Sequence, residues 1–130
     1  MTPLGFSAKA IIANGRRMIE LCEASLETHD FILVSLITPF EIVREEARER
    51  FRPQYLEIFV STSAEACRQR DTKGLYAKEA KGELDNLIGV SIGSPFELPR
   101  QPDLVLDTEG KSVEECVSLI LSELSERHYR

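Results

Sequence analysis

The chain has 130 residues, 42% apolar and 29% charged, the make-up of a globular domain with its own core rather than a disordered chain. A net charge of −6, from 16 basic and 22 acidic side chains, argues against broad nucleic-acid binding. No apolar run approaches the ~20 residues of a membrane helix, and the first residues lack the basic start and long apolar middle of a signal peptide, so a cytoplasmic protein with no membrane partner is expected.

The first predicted element is a helix over about Ser7 to Thr28, with Ile11, Met18, Cys22 and Leu26 on one face. Asn14-Gly15 falls inside it and predicts a break, because this dipeptide favours turns. Next, Phe31-Ile-Leu-Val-Ser-Leu-Ile37 is apolar at nearly every position, the pattern of a parallel strand buried on both faces. Thr38-Pro39-Phe40-Glu41 then predicts a capping box, with Pro39 in the first helical turn and the helix stopping before Pro53. A second copy of this phrase follows: strand Tyr55–Val60, then Thr62-Ser-Ala-Glu65 opening a short helix to about Arg70.

Beyond Asp71 the chain changes character. Lys73-Gly74-Leu75-Tyr76 opens a charged helix to about Leu84, and residues 86–102 form a long loop of the length common in lids. The third phrase is strand Asp103–Asp107 and a helix opened by Ser112, with Val113, Cys116, Val117, Ile120, Leu121 and Leu124 as its apolar stripe. Alternating strands and helices predict an α/β domain with a parallel sheet, whose ligands bind at the carboxyl ends of the strands. Thr38, Thr62 and Asp107 stand at those ends.

The chemistry-bearing residues are few. Cys22, Cys67 and Cys116 are widely spaced, form no CxxC pair and fall at apolar helix positions, which reads as core packing. His29 and His128 read as surface residues, and no metal site is expected. Thr38 serves either as a cap alone or as a cap that also meets a ligand. Arg70-Asp71-Thr72-Lys73-Gly74 reads either as a solvated helix end complementing the dipole or as a basic site ahead of a mobile loop. Arg16-Arg17 reads as an exposed pair, and Phe6 and Phe96 as packing aromatics. No Gly-x-x-x-x-Gly-Lys-Ser/Thr and no GxGxxG occurs in residues 1–130.

Several stretches together resemble one family, the adenylylsulfate kinases, which are P-loop enzymes. They are Leu4-Gly-Phe-Ser7 with Asn14-Gly-Arg-Arg17, Val34-Ser-Leu-Ile-Thr-Pro-Phe40 with Arg44, and Tyr55–Val60 with Cys67-x-x-Arg-Asp-x-Lys-Gly-Leu-Tyr76. Gly82-Glu-Leu84, Ser94-Pro-Phe-Glu-x-Pro99 and Pro102–Thr108 follow in the same order. The resemblance implies a P-loop-kinase-like parallel sheet with flanking helices, in a single domain over residues 1–130 with a lid-like segment at about 70–102. It implies phosphoryl transfer from ATP to the 3′-hydroxyl of adenylylsulfate with Mg²⁺. Phe6, Asn14, Ile37, Thr38, Lys73, Gly74, Leu75 and Leu87 match substrate-contacting positions, and Thr38, Arg70 and Lys73 match catalytic ones.

The departures from the family pattern are heavy. Ala10-Ile11 stands where the family has Asp-Arg, Leu87 replaces a stacking aromatic, and Glu41 and Val43 replace a base and an acid. Gly15 replaces an apolar helix residue. The first strand–helix unit, which carries the phosphate loop, and the second strand have no counterpart in these residues. The resemblance therefore implies that residues 1–130 do not transfer phosphate alone, and that a regulatory module binding adenylylsulfate or its 3′-phosphorylated product (PAPS), or an interaction fragment with no ligand, is the alternative. It also implies a gap between segment 31–37 and strand 55–60, hence exposed edges open to self-association, with ATP sulfurylase as another partner.

Overall fold

The computed structural model describes residues 7–83, 88 and 95–127. The helices are α1 (Ala8–Ser25), α2 (Glu41–Phe51), α3 (Ala64–Arg70), α4 (Leu75–Ala80) and α5 (Val113–Glu126). Two short strands, β1 (Ile58–Val60) and β2 (Leu104–Leu106), pair in parallel with Phe59 opposite Val105. This is the expected α/β arrangement with a smaller sheet than the apolar runs promised.

The expected break at Asn14-Gly15 does not occur: α1 is continuous, and Gly15 is its one buried residue. The reason lies across the helix pair. α1 packs against α2, where a Cβ built on Gly15 would lie 2.5 Å from Val43 Cγ1. The glycine lets two backbones approach rather than bending one of them. Paired arginines flank the contact, Arg16 to Glu46 at 2.7 and 2.9 Å and Arg50 to Glu23 at 2.5 and 2.9 Å.

Segment 31–37 is not a strand. It has no ladder partner among the described residues, and Phe31, Leu33, Val34, Leu36 and Ile37 are all exposed, Leu33 by 94%. A strand exists only by pairing, and nothing described lies alongside to pair with it. Among the described residues nothing pairs with the edge of β1 away from β2 either. Glu57 O and Ser61 N bond towards β2, so by alternation the backbone groups of Ile58 and Val60 point the other way.

The buried apolar side chains include Pro39, Val43, Ala66 and Leu106. α5 has the capping box expected at its start, with Ser112 Oγ accepting from Glu115 N and the Glu115 carboxylate accepting from Ser112 N. Its stripe is only partly covered: Cys116, Ile120 and Leu124 are half-buried, while Val113, Val117 and Leu121 face out. The three cysteines are half-buried rather than core residues, and burial pushes the Cys22 thiol up. His29 lies on the surface as expected, bonded to Thr28 and Ser25 at the end of α1, and His128 lies outside the described residues.

A polar knot closes the amino ends of the strands. Asp103 accepts from Glu57 N at 2.6 Å, Arg48 at 3.3 Å and Arg127 at 2.9 Å, while Arg48 also donates to Gln101 O and reaches Glu57. Glu57 is buried and its pKa is raised, chiefly by burial, with Arg48 opposing. Burial likewise raises the Tyr55 phenol, which donates to Glu57.

Candidate functional site

Two clusters hold most of the expected site residues, the second of them beyond the carboxyl ends of β1 and β2. The first is built on the turn before α2. Thr38 has φ +40°, a left-handed conformation that a β-branched residue rarely adopts. Its hydroxyl donates to Leu36 O at 3.3 Å and caps nothing. The expected Thr38–Glu41 capping box is therefore absent. The helix starts two residues later, with Phe40 as its N-cap residue, and the Glu97 carboxylate, distant in sequence, accepts from Glu41 N at 2.7 Å in its place. Glu97 N in turn donates to Pro39 O at 2.8 Å.

Arg44 sits at the centre of this cluster. It is buried, donates to Thr38 O at 2.5 Å and Glu97 O at 2.6 Å, and forks onto the Glu41 carboxylate. Its guanidinium lies over the Phe96 ring at 5.5 Å, and Phe96 stacks on Phe59 of β1. Burial works to raise Glu41, but the Arg44 hydrogen bond, the Arg100 backbone N–H and both positive charges outweigh it and hold the carboxyl below its ordinary range.

The second cluster is the stretch from Arg70 to Tyr76. Asp71 ends α3 with φ +27°, and its carboxylate accepts from Tyr76 N at 3.1 Å and Ala77 N at 3.0 Å, capping α4. Gly74 sits between at φ +68°, a left-handed position that suits glycine. Arg70 donates to Thr108 Oγ1 and Thr108 O, both at 2.8 Å, beyond the end of β2. Thr62 shares a 2.6 Å hydrogen bond with Thr108 and accepts from Thr108 N. This engagement is why the expected Thr62–Glu65 box fails: Thr62 is occupied across the sheet, and Ser63 caps α3 by accepting from Ala66 N.

Of the expected site residues, Ile37 and Thr38 fall in the first cluster and Arg70, Lys73, Gly74 and Leu75 in the second, with Lys73 and Leu75 exposed. Asn14 is exposed on α1 beside the α1–α2 contact. Phe6 and Leu87 lie outside the described residues. Arg16 is engaged with Glu46 rather than presented to a ligand. The sequence reading gave no role to Arg44, Glu97 or Thr108, whose partners lie up to 56 positions away. A further cleft of about 310 Å³ is lined by Glu41, Arg48, Glu57 and Arg100 among others, and belongs to the structural network at the amino ends.

A profile of the family described as "Adenylylsulphate kinase" matches residues 1–107. The chain belongs to the adenylylsulfate kinase family. The adenylyl-sulfate kinase of Bacteroides thetaiotaomicron is 42% identical over 91% of this chain and 58% of its own length. That of Prochlorococcus marinus is 39% identical over 95% of this chain and 61% of its own. The solved structure of the Mycobacterium tuberculosis APS kinase CysC in complex with AMPPNP and APS superposes with a TM-score of 0.80, at 32% identity, over 94% of this chain and 70% of that one. The likeness confirms a P-loop-kinase-like α/β fold of partial extent: the chain spans about three fifths of the curated relatives' length.

Proposed function

We propose that these residues form the adenylylsulfate-facing and lid portion of an adenylylsulfate kinase, the enzyme that phosphorylates adenylylsulfate at its 3′-hydroxyl in sulfate assimilation. Family membership carries the reading, and the compact fold of Arg70–Tyr76 around Asp71 supports it. Ile37 and Thr38 line the nucleotide, with Phe6, Asn14, Gly74, Leu75 and Leu87 completing its surroundings. Arg70 and Lys73 offset phosphate charge as it redistributes, with the Thr38 hydroxyl nearby. ATP and Mg²⁺ are the family's co-substrate and metal. Phosphoryl transfer is largely positioning and charge stabilisation, and residues 1–130 contain no glycine loop with its lysine to grip the β- and γ-phosphates. Among the described residues no group of three or more metal-ligating side chains converges, so Mg²⁺ is assigned no ligand here.

A second reading is a regulatory module that binds adenylylsulfate or its 3′-phosphorylated product without turnover. It is supported by the retained Phe6 and Asn14 and by the Arg70 and Lys73 cations. The exposed run 31–37 suits self-association, or docking of a partner such as ATP sulfurylase. Cysteines without disulfides and the lack of a membrane-spanning helix among the described residues fit a cytoplasmic setting.

Thermal shift tests both readings. Adenylylsulfate at 100 times its dissociation constant should add about 2.7 kcal/mol to the chain's stability. Turnover of ATP and adenylylsulfate by the 130 residues alone should stay at background. No shift with adenylylsulfate or its product removes both readings, and turnover above background removes the second.

A further inference from the structure

We propose that Arg44 is a positioning residue for the candidate nucleotide pocket: it holds Thr38 in its left-handed backbone conformation and thereby fixes Ile37 and the Thr38 hydroxyl. A threonine at φ +40° persists only where its surroundings over-determine it, and here they do. Thr38 O takes a 2.5 Å hydrogen bond from Arg44 Nη1, and Arg44 Nη2 reaches Glu97 O at 2.6 Å. The Glu41 carboxylate accepts from Nε at 3.2 Å, and the Phe96 ring covers the guanidinium face. Every nitrogen of the fork is engaged.

Glu97 completes the loop by donating its N–H to Pro39 O and accepting from Glu41 N. One buried cation therefore welds two chain segments 53 residues apart at the point where the turn changes hand. Lysine offers one compact ammonium and cannot make this set of planar contacts. Arg44 itself is only 6% exposed. Its effect passes through the Thr38 backbone, which separates it from Arg70 and Lys73 in the other cluster. The pocket assignment rests on the proposed function; the conformational role does not.

The test uses the full 130-residue chain with Arg44→Lys and Arg44→Met. Backbone carbon chemical shifts of Thr38 report its handedness, titration calorimetry gives adenylylsulfate affinity, and urea midpoints give stability. In Arg44→Lys, Thr38 should lose its left-handed signature and affinity should fall about tenfold, the equivalent of one or two charged hydrogen bonds. In the Arg44→Lys background Thr38→Gly should restore much of the lost urea midpoint, because glycine adopts the left-handed turn without Arg44. A merely structural arginine would give no such rescue. Thr38 keeping its signature in both variants overturns the proposal, as does a lowered urea midpoint that Thr38→Gly leaves unrestored. If the unsubstituted chain binds no adenylylsulfate, the functional reading falls, and the Thr38 shifts alone decide the role of Arg44. If both Arg44 variants fail to fold, Thr38→Gly in the unsubstituted chain decides: it should raise the urea midpoint, and an unchanged or lower midpoint overturns the proposal.

Discussion

Replacing Gly15 by alanine sets two effects of known size against each other. Alanine in mid-helix is worth about 1 kcal/mol over glycine, and α1 is continuous through this position. The added methyl, however, would stand 2.5 Å from Val43 Cγ1 and 3.3 Å from Cγ2. Val43 is itself helical, so its χ1 has one strongly preferred rotamer and cannot swing aside. It is also 3% exposed, leaving little room to retreat. Overpacking of this kind costs about 1–3 kcal/mol, so Gly15→Ala should destabilise by about 1 kcal/mol net. In a Val43→Ala background the obstacle is gone, and the same change should stabilise by about 1 kcal/mol. Urea denaturation of the four proteins in the cycle measures both signs. If Gly15→Ala stabilises equally in both backgrounds, the close approach of α1 and α2 does not exist and the reasoning fails.

Glu57 should make stability fall with rising pH. Its folded pKa lies above the ordinary carboxylate value, so between the unfolded and folded pKa values the native state holds more protons. Its contribution is thus full below the unfolded value and lost as pH climbs through the folded one. Relative to the parent, Glu57→Gln should become progressively more stable from pH 4 to 7 by chemical denaturation; a flat difference contradicts the assignment. Glu41 is the opposite case. Its lowered pKa means that its contribution should disappear as pH falls below the ordinary carboxylate range, and Glu41→Gln should abolish that part of the acid loss. Leu33→Lys should leave the urea midpoint within about 0.5 kcal/mol of the parent, because the side chain is 94% exposed. It should also lower any sedimenting dimer or aggregate fraction, and an unchanged fraction would remove segment 31–37 from the association surface.

What the sequence revealed followed range. Ser112 and Glu115 are three residues apart, and their box formed as expected because both partners travel on one turn. The apolar stripes placed α1 and α5 for the same local reason. Thr38 with Glu41 has the same spacing and did not form a box, because Arg44 and Glu97 claimed the turn from elsewhere. Thr62 lost its cap to Thr108, which no local pattern announces. The run 31–37 correctly advertised a buried parallel strand's composition, but composition states which environment a segment suits, not whether neighbours supply it. The Arg70–Tyr76 motif is contiguous and folds locally around Asp71, while the contacts of Arg44 with Thr38 and Glu97 became visible only in three dimensions.

The bare apolar ribbon at 31–37 also bears on how long such a polypeptide survives in a cell. Folding machinery and proteases discriminate native from denatured material largely by accessible greasy, extended backbone, and this segment displays that mark even with every helix in place. A strand or partner laid over it would remove that mark, so whatever covers 31–37 also bears on the chain's lifetime.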